Sequence, residues 1–122
     1  MKHAPGFLAI VNDAKARIPE VSIADVQARL AAGRDVRLID VREDREWDAG
    51  RIAGAQHLGK GVIERDIEDR VPDKEAEVIL YCGGGYRSLL AGDALRQMGY
   101  TRVSSMAGGW RGWIDAGGKT ER

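Results

Sequence analysis

The sequence predicts an α/β domain built on a mainly parallel sheet. Stretches with helical apolar spacing alternate along the chain with short apolar runs, the pattern of strands joined by helices. The run Glu77 to Tyr81 (Glu-Val-Ile-Leu-Tyr) is apolar on consecutive positions, as expected of an inner strand covered on both faces. Strands separated by helices need crossover connections, and these leave neighbouring strands parallel.

The elements follow in order. Leu8, Val11, Ala14 and Ile18 share one helical face between Gly6 and Ile18, and Pro19 closes that helix. It reads as an N-terminal helical extension, residues 1–20, packed against a main domain at 21–118, with 119–122 as a polar tail. Ser22, with Asp25 three residues on, resembles a capping box, and the helix it starts stops at Gly33. Val36 to Val41 is a strand candidate. Glu43 to Ala49 reads as a short helix closed by Gly50, Gln56 to Leu58 as a short strand, and Val62 to Arg70 as a polar helix ended by Pro72. After the Glu77–Tyr81 strand come a helix from Ser88 to Met98, an inner strand from Arg102 to Met106, and a last helix holding Trp110, Trp113 and Ile114.

Composition narrows the function. The chain has 122 residues, 43% hydrophobic and 31% charged, enough for one domain with a real core. Lys and Arg number 19 and Asp and Glu number 19, so no net charge points to nucleic acid or to an acidic membrane surface. The apolar run Phe7 to Val11 is too short for a signal segment, and no run approaches a membrane span. A single cysteine excludes an internal disulfide and suits a reducing compartment, so a cytoplasmic location is expected. His3 and His57 stand apart without ligand-type spacing around them, and no metal is expected.

The chemistry concentrates in Tyr81-Cys82-Gly83-Gly84-Gly85-Tyr86-Arg87-Ser88, which joins the best strand to a good helix. In open α/β sheets this is the strand end where ligands bind. Three glycines let the backbone curl so that its N–H groups point inward as an anion nest. The helix N-terminus and Arg87 add positive charge, an environment that favours a thiolate on Cys82. A cysteine after an apolar strand, taken alone, reads as a small buried hydrophobe, and three glycines read as a flexible turn. Strand, cysteine, glycine loop, arginine and helix start in this order read as a nucleophile and its anion cradle.

Four blocks of the chain resemble the rhodanese-like family. They are Asp40-Val41-Arg42-Glu43; Glu46-Trp47 with Gly50-Arg51-Ile52 and Gly54-Ala55; the Cys82 to Arg87 loop; and Gly108-Gly109-Trp110 with Trp113. Arg51 stands where the family usually has histidine, and Ala53 where it usually has proline. The resemblance implies a five-stranded, mainly parallel sheet flanked by helices on both faces. It implies a sulfurtransferase in which Cys82 carries a persulfide, cradled by Gly83, Gly84, Gly85, Tyr86 and Arg87, with no cofactor. Its partners would be a small sulfane donor of thiosulfate or persulfide type and a cyanide, small-thiol or protein-thiol acceptor. The loop lacks the basic pair of thiosulfate-preferring members, so the donor stays open.

Asp40, Arg42 and Ser88 are the candidate supporting residues. Asp40 and Arg42 could orient the loop or bind substrate, with a structural ion pair the favoured reading; Ser88 could donate to the loop, with a helix cap favoured. Tyr86 is read either as part of the pocket rim or as an exposed turn residue. Trp47 and Trp110 are read as core, and Trp113 is left between core and pocket. Two other functions fit a cysteine and an arginine around an anion loop less well. One is a cysteine phosphatase or arsenate reductase, whose related loop is one residue longer. The other is a non-catalytic interaction module, which needs neither residue.

Overall fold

The computed structural model describes residues 3–122; the expected N-terminal extension begins with two residues outside that range. Among the described residues the sheet has five strands in the order β1 (Glu20–Val21), β6 (Val103–Met106), β5 (Glu77–Tyr81), β2 (Val36–Asp40) and β4 (Gln56–His57). Every neighbouring pair is parallel. The two longest strands, β2 and β5, run side by side from Val36 against Glu77 to Asp40 against Tyr81.

The helices are α1 (Pro5–Lys15), α2 (Ile23–Ala31), α3 (Asp44–Ala49), α4 (Ile63–Arg70), α5 (Arg87–Gln97) and α6 (Gly109–Asp115). They cover both faces because successive strand side chains point to opposite sides. Ile39, Val41, Val78, Leu80 and Cys82 pack with Ile63 and Ile67 of α4 and Ala91 and Leu95 of α5. Leu38, Ile79 and Tyr81 pack with Val26 of α2 and Trp113 of α6. β5 is buried at all five positions, as its consecutive apolar residues require. Each fully buried Ile or Leu here stabilises the fold by about 1.5–3 kcal/mol.

α1 lies on α5, burying Val11, Ala14 and Ile18 against Leu89. Arg17, at the end of that helix, clamps it to α5 through Asp93 at 2.7 Å. Leu8, placed on the same face by its spacing, is only half-buried. Ser22 caps α2 by accepting the Asp25 N–H at 3.0 Å. A second ribbon pairs β3 (Arg51–Ile52) antiparallel with β7 (Thr120–Glu121), so the exposed polar end of the chain is held at the domain surface. No helix among the described residues is long and apolar enough to cross a membrane.

Candidate active site

β5 delivers Cys82 to the carboxyl edge of the sheet, and residues 83–86 then curl into the start of α5. Gly85 turns the chain back with φ +101°, a left-handed value that a side chain would strain. The curl brings the Gly85 N–H to 3.2 Å from Cys82 Sγ. The amides of Gly83, Gly84, Tyr86, Arg87 and Ser88 have no hydrogen-bond acceptor among the described residues. Unpaired backbone donors in a curled loop at a helix start suit an anion. Cys82 itself is 1% exposed.

α6 sets the shape of the curl. The Trp110 N–H donates to Cys82 O at 2.7 Å and the Arg111 N–H to Gly83 O at 3.1 Å. Both carbonyls are thereby tied to α6. This close approach needs Gly109, where φ is +54° and a Cβ would lie 2.4 Å from Cys82 O and 2.9 Å from Gly83 C. The Gly108-Gly109 pair, quoted above only for its resemblance, is thus fixed by contact with the cysteine loop.

Arg87 reaches back over the loop, and a Cβ on Gly83 would meet its Nη2 at 3.2 Å. It donates two hydrogen bonds to Glu46 of α3, at 2.9 and 3.2 Å. That ion pair holds the Glu46 carboxyl down at about 2. The same hydrogen bonding raises Arg87 above its ordinary value against the cost of burial, with nearby Cys82 adding to the effect. Glu46 was visible in the sequence only as part of a resembling block; nothing in a carboxylate 41 residues before an arginine announces a partner.

The supporting residues fall in two places. Ser88 does not cap α5, whose N-cap, Tyr86, makes no side-chain cap bond. Its buried hydroxyl turns instead toward the cysteine, 3.5 Å from Sγ and 2.7 Å from the Ser105 hydroxyl on β6. Ser105 is a residue sequence reasoning missed; a serine in a strand read as buried was the available signal. Asp40 and Arg42 form a buried bidentate ion pair, and Arg42 also donates to Gly50 O at 2.7 Å. The Arg42 guanidinium lies over the Trp110 ring at 4.7 Å. This pair braces the segment behind the loop and makes no hydrogen bond to Cys82.

The aromatic residues sort differently from expectation. Trp113 is the core tryptophan, 3% exposed, with its Nε1–H on Lys119 O at 2.9 Å. Trp47 is only half-buried, stacked on His57 and carrying Arg51 over its ring. Trp110 is half-buried too, at the edge of the core where it receives Arg42. Tyr86 is not an exposed turn residue: it is half-buried, and its ring packs edge-on against His3 and Phe7 of the N-terminal segment. No cluster suited to a metal ion occurs among the described residues.

The parallel sheet thus ends in a buried cysteine that accepts the Gly85 N–H, at the head of a glycine loop with further amides left without an acceptor among the described residues. Residues 22–116 match the rhodanese-like domain. A sulfurtransferase of Allochromatium vinosum is 34% identical over 100 residues, covering 82% of this chain and 92% of that protein. The human thiosulfate:glutathione sulfurtransferase is 30% identical over 109 residues, covering 80% and 94%. Among solved structures, a Rhodopseudomonas palustris protein of unknown function, described as a possible tyrosine phosphatase, superposes with a TM-score of 0.84. It is 29% identical and the match covers 99% of this chain and 98% of that one. Longer relatives occur as well: the chain spans 54% of the Bacillus subtilis protein YrkF, which is 28% identical over 104 residues. The chain belongs to the rhodanese-like family, a family of sulfurtransferases.

Proposed function

We propose that this protein moves a sulfane sulfur from a small donor to a thiophilic acceptor through a persulfide on Cys82. The observation that carries the reading is the Gly85 N–H at 3.2 Å from Cys82 Sγ, in a loop whose other amides have no acceptor among the described residues. In the first half-reaction the Cys82 thiolate attacks the outer sulfur of the donor. A new S–S bond forms, the donor's own S–S bond breaks, and its electron pair leaves with the rest of the donor, sulfite in the case of thiosulfate. The product is a Cys82 persulfide anion, whose charge the loop amides hold. In the second half-reaction cyanide or a thiolate attacks the outer sulfur, leaving as thiocyanate or a new persulfide and returning the Cys82 thiolate. Neither step needs a cofactor, and a reducing, cytoplasmic setting keeps the single thiol available.

A phosphatase reading has the neighbouring Rhodopseudomonas palustris structure in its favour. The loop speaks against it, because only Gly83, Gly84, Gly85 and Tyr86 separate Cys82 from Arg87. A tetrahedral phosphate needs a wider ring of donors than a single sulfur atom does. Intact mass is the test. Wild-type protein incubated with thiosulfate or a persulfide gains one sulfur atom, which cyanide or a reductant removes. Cys82→Ser gains none and keeps its fold by circular dichroism. Sulfur transfer by the serine variant, or aryl-phosphate turnover by wild type that rivals its sulfur transfer, overturns the proposal.

A further inference from the structure

The three guanidinium groups nearest the loop differ in what they hold. Arg42 is buried and committed to Asp40 and Gly50 O. Arg87 is committed to Glu46 by two hydrogen bonds. Arg111, on α6, makes no ion pair and no side-chain hydrogen bond among the described residues. The residue is exposed, yet its head stays close to the loop. It folds back over the cysteine loop, so that a Cβ on Gly84 would lie 2.6 Å from its Nη2 and one on Gly83 4.0 Å from the same atom. Its base is fixed to that loop as well, through the Arg111 N–H on Gly83 O at 3.1 Å.

Gly83 and Gly84 have no positive φ, so backbone conformation does not call for glycine at either. What the missing side chains leave is room. Arg87 occupies the space over Gly83, and Arg111 that over Gly84. One cation is neutralised by Glu46 and the other is not, so the loop carries an unpaired positive charge on its outer side. A guanidinium presents planar paired donors, the geometry that fits two oxygens of a sulfonate or carboxylate.

From this we infer that Arg111 docks the oxyanion of the sulfur donor and so selects anionic sulfane donors for the site. The inference rests on the reading of Cys82 as the persulfide carrier. Arg111 touches only the part of the donor that is not transferred. It holds the sulfonyl oxygens of thiosulfate, which depart as sulfite, or the carboxylate of a peptidyl persulfide, which departs as the thiolate. In both cases the outer sulfur is left pointing at Cys82. The specificity lies outside the loop sequence, on a helix that the loop itself is bound to.

The test compares wild type with Arg111→Gln, Arg111→Lys and Gly84→Ala, whose added Cβ displaces the Arg111 head. Donors are thiosulfate, glutathione persulfide and the uncharged-bodied 2-hydroxyethyl persulfide, with KM and kcat measured separately and thermal midpoints recorded. Loss of one charge-assisted contact is expected to raise KM for an anionic donor about tenfold or more. The neutral-bodied donor should change less than about twofold, and Lys should recover part of the loss because it keeps the charge without the fork. Gly84→Ala, read on the anionic donors alone because Gly84 is itself part of the loop, should raise their KM at least as much as Arg111→Gln. Selective loss with thiosulfate identifies a sulfonate-type donor, and selective loss with glutathione persulfide a carboxylate-type one. Unchanged KM values, or an equal loss with all three donors, overturn the role of Arg111 while leaving Cys82 as carrier. Failure of wild type to take sulfur from any of the three overturns both.

Discussion

The two ends of β5 both meet negative charge, and they do so by opposite means. At its start the Glu77 side chain, 9% exposed, is surrounded by arginines: Arg29 at 2.8 Å, Arg34 at 3.0 Å and Arg102 at 3.8 Å. Just past its end Cys82 is met by the Gly85 N–H, with the Arg87 cation beside the loop paired to Glu46. A charge that is permanent can be matched by permanent counter-charges. A charge that appears and leaves with each turnover is better served by dipoles, which add no net charge when the sulfur is absent. On the proposed function, the same strand therefore has a structural end and a reactive end. The difference lies in main-chain geometry more than in residue type.

The largest effect should come from disturbing that geometry. Gly109→Ala places a methyl group 2.4 Å from Cys82 O, a backbone atom that cannot swing away as a side chain could. The left-handed φ of +54° adds strain of about 1–2 kcal/mol. Sulfur transfer should fall by about a hundredfold, the scale expected when reacting groups are misplaced by an ångström. Donor-loaded mass and steady-state rates check this. A variant with wild-type rates would show that the amide ring does not depend on its α6 support.

A smaller effect, at the other end of the strand, sharpens the contrast. Glu77→Gln removes the charge that three arginines share, and it should cost about 2 kcal/mol because the arginines keep access to water. The urea midpoint should drop while kcat/KM of the folded protein stays within about twofold of wild type, since no amide of the loop is disturbed. A large catalytic loss in stable protein would mean that the two ends are coupled, and the division drawn above would fail.

Much of this was legible in the residues. The inner strand Glu77–Tyr81 announced itself by five positions without a solvent face, and the loop by a cysteine, three glycines and an arginine before a helix. What stayed hidden was short or non-local. β1, β3 and β7 have two residues each, too few for any period to show; β1 exists because β6 supplies its partner, and β3 and β7 because they pair with each other. Ser22 was readable as a helix cap while the strand directly before it was not. At the site, Glu46, Ser105 and Arg111 were missed for the same reason: each reaches the loop from another element, and single-sequence spacing is blind to that. For Ser88 the favoured cap reading failed because Ser is a common cap, yet a hydroxyl inside the first turn of α5 can also turn inward to the cysteine.

The smallest effect concerns the ion pair at the mouth of the site, and it separates a structural tie from a donor contact. The Glu46 carboxyl is held at about 2, first by its hydrogen bonds from Arg87. A carboxyl lowered on folding stabilises the protein at pH values above its unfolded value, near 4.5, and that contribution fades as pH falls toward about 2. The pair is about one-third exposed, so solvent screening reduces the contribution to about 1 kcal/mol. Glu46→Gln should therefore be less stable than wild type by about that amount at pH 6, with the difference closing by about pH 2. The same variant leaves the Arg87 guanidinium without its carboxylate beside Cys82. If Arg87 then becomes a second oxyanion contact, KM for thiosulfate should fall modestly, by about two- to threefold, since an added partly exposed charge contributes little more. A rise in KM instead would mean that Glu46 positions Arg87 for the donor, and that the pair is part of the site and not a tie between α3 and α5.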